Sequence, residues 1–358
     1  MKVGIVGLPN AGKSTLFNAL TQGGAETGDY PFTTIDPNVA VVGVPDERLD
    51  AVAATVRSSK VVLETIEFHD IAGLVRGASE GEGLGNRFLA AIRETDAICH
   101  VVRSHAASAV PHPEGRVDPR DDIELIELEL LASDLDQAQR RLERVAKQAK
   151  SLDKELVAER DWLEQVVSAL SAGRPAREVP VPAAAGHAPR LLGALTQKPI
   201  LYVANVDEGS DVVPEPVAEH AKGAGAEAVA ISARIEAELA EIEDPEEAAE
   251  LRGEMGVSES GLARVIRSAF ELLDLISFFT AGEDKEAMAR NVRRGSTAWE
   301  SAAKIHGDIQ AAFIRAEVVS WRDLVDAGGY AGARDRGRLR LEGRDYVMAD
   351  GDVMTVKV

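Results

Sequence analysis

The chain has 358 residues, more than one ordinary domain and room for two or three. Apolar residues make up 45% and charged residues 28%, which excludes a disordered chain, and no apolar run reaches the roughly 18 residues of a membrane span. The net charge of -20 excludes a protein that coats nucleic acid by bulk attraction. The acidity is uneven, because residues 275–358 hold 13 basic and 13 acidic side chains and the rest of the chain carries the whole excess.

The first element is KVGIV, a short apolar strand rather than a signal peptide. GLPNAGKST follows at once, and LFNALTQ then takes helical spacing. Gly7-x-x-x-x-Gly12-Lys13-Ser14 between strand and helix is the pattern of a phosphate-binding loop. Its glycines let the backbone turn several N–H groups toward one phosphate chain, and the helix N-terminus adds partial positive charge. Asn10, Ala11, Gly12, Lys13, Ser14 and Thr15 are therefore expected around the phosphates. Lys13 supplies a full charge to the outer phosphates, and the Ser14 hydroxyl reaches Mg2+.

YPFTT at residues 30–34 comes next, and either Thr33 or Thr34 can complete the metal shell with its hydroxyl. TIEFHDIAG is a second strand ending in Asp70-x-x-Gly73. There Asp70 can hold a metal-bound water, and Gly73 can give its N–H to the terminal phosphate. Leu74 stands where Ras-like enzymes carry the Gln that orients water, and a leucine cannot do that work. The glycine-rich run VRGASEGEGLGNRFL reads as a switch. Cys99, the single cysteine, lies in an apolar stretch; it permits no intramolecular disulfide and suits a reducing cytoplasm.

An insertion at residues 112–190 follows. Leu128, Leu131, Leu135, Ala138, Leu142, Val145, Ala149, Leu152 and Leu156 alternate spacings of three and four, and Leu163, Val166 and Leu170 resume the seam. This predicts an antiparallel helical hairpin turning near Lys150 to Lys154. Arg140, Arg141, Arg144, Lys147 and Lys150 crowd the segment before the turn, either as a solvated face or as an RNA-touching prong.

KPILYVANVDEG is a buried strand that delivers Asn205, and AEAVAISA delivers Ser232 and Ala233 one strand later. Together they form a base-pocket arrangement. A guanine reader would run Asn-Lys-X-Asp, whose carboxylate accepts from N1–H and the N2 amino group. Here Val206 replaces the lysine and Glu208 the aspartate. Asn205 can still serve either purine, since its amide both donates and accepts. With the guanine-specific element displaced, ATP becomes the leading nucleotide and GTP is tolerated. A true GTPase switch and a non-catalytic nucleotide-gated module are the alternatives.

Near the end, RDRGRLRLEGR holds Arg334, Arg336, Arg338, Arg340 and Arg344, and period-two spacing would set several on one strand face as a phosphate-contact patch. DYVMADGDVMTVKV predicts a hairpin with Asp350-Gly351 in its turn.

GLPNAGKSTLFNALT, DIAGLVRGASEGEGLGNRFL, NVDE, FFTAGEDKEA, GDIQAAFIRAEVVSWRDL and LEGRDYVMADGDVM resemble the signatures of the YchF family, also called Obg-like ATPases, over nearly the whole chain. The resemblance implies an α/β fold: a Ras-like P-loop NTPase domain (OBG-type G domain) at residues 1–111 and 191–274. A helical hairpin is inserted at 112–190, and a β-grasp TGS domain lies at 275–358. It further implies ATP as substrate with Mg2+, an apolar residue at the Leu74 position, and association with ribosomes. The family's proposed catalytic histidine falls on His112, and Asn10 resembles an asparagine that holds K+ beside the phosphates. Ala11 stands where valine is common.

Overall fold

The computed structural model describes residues 1–25, 37–71, 84–105, 115–149, 153–242, 244–255 and 259–358. Contacts divide the chain into two compact units. One is Met1–Gly23, Thr34–Ala40 and Glu67–Ala269; the other is Gly24–Thr33, Val41–Ile66 and Phe270–Val358.

Strands β1 (Lys2–Val6), β2 (Val39–Gly43), β3 (Lys60–Val62), β4 (Thr65–Asp70), β5 (Ala97–Arg103), β6 (Ile200–Asn205) and β7 (Glu227–Ile231) come first in the chain. All but β3 form one sheet, ordered β2-β4-β1-β5-β6-β7. β1 pairs in parallel with β4 and β5, β5 with β6, and β6 with β7. β5 and β6 are buried along their whole length, as their predominantly apolar sequences require of a covered sheet, with His100, Arg103 and Asn205 buried among them. The N-terminal unit also carries α1 (Lys13–Ala25), α3 (Leu84–Arg93), α4 (Pro119–Gln148), α5 (Lys154–Ser171), α6 (Ala188–Leu192), α7 (Glu215–Gly223), α8 (Ala233–Leu239), α9 (Pro245–Glu254) and α10 (Gly261–Leu272), while α2 (Glu47–Val56) falls in the other.

α4 starts on Asp118, whose carboxylate accepts from the Asp121 N–H at 3.2 Å, with Pro119 in the first turn. Its first turns bury Ile123, Ile126 and Leu130 in the sheet's core. Its later turns pack Ala138 and Val145 with Trp162, Leu163 and Val166 of α5. The expected seam holds at Leu131, Leu135, Ala138, Leu142 and Val145 and again at Leu163, Val166 and Leu170; Ala149 and Leu156 are not in this cluster, Leu152 lies outside the described residues, and Leu128 is 64% exposed. At that level the helix faces the sheet through Ile126 and Leu130, so the heptad register belongs only to the hairpin. Of the turn predicted near Lys150 to Lys154, residues 150–152 lie outside the described ones, and α5 already begins at Lys154 on its cap Asp153. Fully buried Asp134 accepts from Leu195 N, Thr196 N and the Thr196 hydroxyl at 2.7–2.8 Å, tying α4 to the segment that enters β6.

The C-terminal unit contains β8 (Leu275–Thr280), β9 (Glu286–Arg293), β10 (Arg315–Ser320), β11 (Arg340–Glu342) and β12 (Asp352–Lys357). Its sheet is ordered β11-β10-β12-β8-β9-β3 and mixes parallel and antiparallel pairs. Helices α11 (Ala298–Ile305), α12 (Gly307–Ala311), α13 (Trp321–Asp326) and α14 (Tyr330–Asp335) accompany it. Residues 41–66, expected within the nucleotide-binding domain, cluster here. β3 pairs with β9, and Leu49, Val52 and Val56 of α2 pack with Phe279, Ala287 and Val319.

Two C-terminal expectations are corrected. The hairpin with Asp350-Gly351 in its turn does not form. Only Asp352–Lys357 is a strand, and Val347 makes an isolated bridge to Thr297. Asp350 instead accepts from Ser277 N and Arg48. The arginine run also departs from strand periodicity, because Arg334 lies in α14, Gly337 turns the chain at φ 64°, and only Arg340 enters a strand.

Candidate nucleotide-binding site

The phosphate loop joins β1 to α1. Gly7 has φ 159°, Asn10 adopts the left-handed region at 64°, and Gly12 has φ 101°. A Cβ on Gly7 would collide with the Val101 carbonyl of β5, and one on Gly12 with the Asn205 amide, so both glycines answer a close approach as well as a turn. Lys13 is 7% exposed and donates to the Leu8 carbonyl at 2.9 Å, which folds its side chain back over the loop. Burial lowers the Lys13 pKa, and the Asp70 carboxylate opposes that shift. A desolvated ammonium held beside loop N–H groups is suited to an incoming polyanion.

Asp70 ends β4 in register with Ile5 of β1, and the Ser14 hydroxyl lies 3.4 Å from its Oδ2. Two hard oxygen donors side by side fit Mg2+, which takes much of its shell from phosphates and water. Among the described residues no group of three or more His, Cys, Asp or Glu side chains could hold a metal alone. Thr15 is half-buried in the first turn of α1. Thr33, Thr34, Gly73, Leu74 and His112 lie outside the described residues.

At the base end, Asn205 closes β6 and is 6% exposed. Its Nδ2 donates to the Ala11 carbonyl at 3.0 Å, and its Oδ1 accepts from the Ala233 N–H at 3.1 Å. One amide thus clamps the phosphate loop to the Ser232-Ala233 turn, which sequence reading did not foresee. Each amide atom keeps one further hydrogen-bonding position for a purine. Val206 is 5% exposed and packs in the core, so its side chain is committed to packing. Glu208 is exposed and forms an ion pair with Arg234, which also lies 3.4 Å from Glu238. Arg234 was missed from sequence, although a basic residue directly after Ser-Ala is a visible signal. Ser232 caps α8 through its backbone only.

Other polar groups surround the same sheet. Arg103, 2% exposed, ends β5 opposite Asn205, and the Ser104 N–H donates to the Asn205 carbonyl at 2.9 Å. Behind them His100 is buried beside Tyr202, with ring centroids 5.7 Å apart. The Tyr202 hydroxyl and His220, at 3.1 Å, both bond Glu127 of α4. Burial would push the Glu127 carboxyl up, but the bonds from His220 and Tyr202 outweigh it and hold it below its usual range.

The basic clusters are largely engaged. Arg141 turns inward to Glu159 at 2.7 Å, and Arg140 pairs with Asp136. Arg336 donates to the Asp326 carbonyl at 2.9 Å, Arg338 lies 3.8 Å from Asp323, and Arg340 contacts Tyr346, Glu342 and Asp352. Arg344 donates to the Phe313 carbonyl at 2.8 Å.

A sheet whose β4, β1, β5, β6 and β7 run parallel, with a phosphate loop after β1, an acid ending β4 and an asparagine ending β6, defines a P-loop nucleoside triphosphatase of the GTPase class. A family described as 50S ribosome-binding GTPase matches residues 2–151, and the YchF-GTPase_C family, described as a protein of unknown function, matches residues 275–358. The chain is 48% identical over 362 residues to "Ribosome-binding ATPase YchF" of Bacillus subtilis, covering 99% of this chain and 98% of the relative. It is 49% identical over 356 residues to the protein of that name in Haemophilus ducreyi, with the same coverage. The structure of the Schizosaccharomyces pombe YchF GTPase superposes with a TM-score of 0.88 at 33% identity, covering 100% of this chain and 97% of that one. The chain belongs to the YchF family.

Proposed function

We propose that this chain is a Mg2+-dependent ATPase of slow turnover that tolerates GTP and acts as a nucleotide-gated regulator on the ribosome, in the cytoplasm. Full-length identity to proteins named ribosome-binding ATPases supports the activity and the partner. No described helix is long and apolar enough to cross a membrane.

The observation that carries the choice of nucleotide is the state of Glu208. A guanine reader needs a carboxylate free to accept from N1–H and the N2 amino group. The Glu208 carboxylate is charge-paired with Arg234, and no lysine covers the base because Val206 is in the core. A pocket without that acceptor gives up most of its discrimination for guanine. Asn205 keeps one donor and one acceptor position, which match adenine N7 and N6 as well as they match guanine.

Lys13 and the loop N–H groups bind and orient the phosphates, with Gly73 donating to the terminal one. Ser14, Asp70 and either Thr33 or Thr34 are the residues that would hold Mg2+, which neutralises charge on the phosphate oxygens. Because Leu74 cannot orient water, hydrolysis depends on His112 or on K+ held at Asn10. The ribosome contact, with ribosomal RNA, runs through a TGS domain in residues 275–358 and through the α4–α5 hairpin.

Titrating the purified protein with ATP and with GTP tests the reading. ATP binding at least as tight as GTP is expected, and a hundredfold preference for GTP would overturn it.

A further inference from the structure

Asn205 grips the Ala233 N–H, so the residues just after each of these two points share one rim of the base pocket. On that rim stand Glu208, three residues past Asn205, and Arg234, next after Ala233. They form an ion pair, and Glu238 lies on the other side of Arg234 with its Oε1 3.4 Å from Nε. Their side chains are 50% and 65% exposed, so the pair remains open to a ligand.

Two carboxylates hold one guanidinium against Glu208, the residue at the position where a guanine reader presents a bare carboxylate. This reverses the hydrogen-bonding sense of the rim. A guanidinium carries five N–H donors and no acceptor. Guanine turns donors to this rim, N1–H and the N2 amino group, and donors facing donors leave both unpaired. Adenine turns the N1 lone pair to the rim, which a guanidinium N–H can satisfy.

We propose that Arg234 reads the N1 edge of adenine, held in place by Glu208 and Glu238. The pocket thus selects ATP through a positive contact as well as through loss of the guanine acceptor. The inference rests on the ATP reading above and deepens it. Asn205 serves the N6 and N7 side, and Arg234 serves N1. The resulting pattern is complementary to adenine and not to guanine.

The test compares ATP, GTP and 1-deaza-ATP, in which a C–H replaces N1, by calorimetric titration of the wild type and Arg234→Ala. Arg234 is largely exposed, so its removal leaves the fold in place. A charge-assisted bond to N1 makes the wild type prefer ATP over 1-deaza-ATP by about tenfold or more. Arg234→Ala should lose that factor for ATP only, leaving 1-deaza-ATP and GTP nearly unchanged, so both preferences shrink together. Glu208→Gln with Glu238→Gln, which frees the guanidinium, should move part of the way. If the wild type prefers ATP over GTP but Arg234→Ala keeps both ratios, the inference is wrong and the ATP reading stands. If the wild type prefers ATP neither over GTP nor over 1-deaza-ATP, the inference is wrong while the ATP reading stands; a hundredfold preference for GTP overturns both.

Discussion

Asn205 is expected to stabilise the nucleotide-free protein, not only to touch a base. Its amide makes two buried hydrogen bonds, to the Ala11 carbonyl at 3.0 Å and from the Ala233 N–H at 3.1 Å. Ala11 and Ala233 are 2% and 1% exposed, so water cannot readily replace the lost partner. Asn205→Ala leaves one buried carbonyl and one buried N–H unpaired. At about 1–3 kcal/mol each, the cost is about 2–6 kcal/mol. For a unit of this size, at about 2–4 °C per kcal/mol, that lowers the melting temperature on the order of 5–20 °C. Asn205→Asp keeps an acceptor for Ala233 but sets a second oxygen against the Ala11 carbonyl, so it should lose about as much. The assay is thermal unfolding without nucleotide, followed by ATP titration of the folded variants. A residue that only read the base would lose affinity with no change in melting temperature. A nucleotide-free melting temperature within 2 °C of wild type would refute the clamp.

Gly12→Ala should weaken ATP binding by at least tenfold, read by titration, because its Cβ would meet the Asn205 amide at a φ of 101° that alanine resists. His112→Ala should lower turnover with nearly unchanged ATP affinity; turnover indifferent both to that change and to replacing K+ with Na+ would remove both candidates. Burial pushes the His100 pKa down to about 4, below the ordinary 6.5, so the unfolded chain binds the extra proton between those values. Stability should therefore fall as pH drops from 6.5 toward 4, on the order of 2–3 kcal/mol, and urea unfolding of His100→Leu should lack that part of the decline. Arg336→Gln with Arg338→Gln should weaken co-sedimentation with ribosomes, flatten its salt dependence by about two units of slope and leave ATP hydrolysis unchanged. Arg340 is a poor choice for that test because it braces Tyr346 and buried Asp352.

What the sequence reveals about this molecule depends on how local each feature is. Gly7, Gly12, Lys13 and Ser14 sit within eight residues, and their loop follows from spacing alone because one strand, one turn and one helix suffice to build it. The α4–α5 seam is local in the same sense. It fails at Leu128, where the helix leaves its partner and turns Ile126 and Leu130 to the sheet. The arginine run misled because alternation is a strand signal only where a strand exists, and Gly337 ends α14 in the middle of it. β3 was invisible, since three residues carry no periodicity and their partner β9 begins more than 200 residues later.

The base end shows both limits at once. That Asn-Val-Asp-Glu departs from a guanine reader is legible from residue chemistry, because a missing lysine and a displaced carboxylate need no coordinates. What replaces them is not legible, because it depends on pairs brought together across the fold. Asn205 reaches Ala11 across 194 positions of chain. Glu208 meets Arg234 because β6 pairs with β7 through Asn205 and Ile231, and the Asn205 amide holds the start of α8 beside that end. The same clamp explains why Gly12 must lack a side chain, so phosphate loop and base loop are constrained by one amide. A substitution at Asn205 or Gly12 should therefore disturb phosphate and base binding together, which separate motifs would not do.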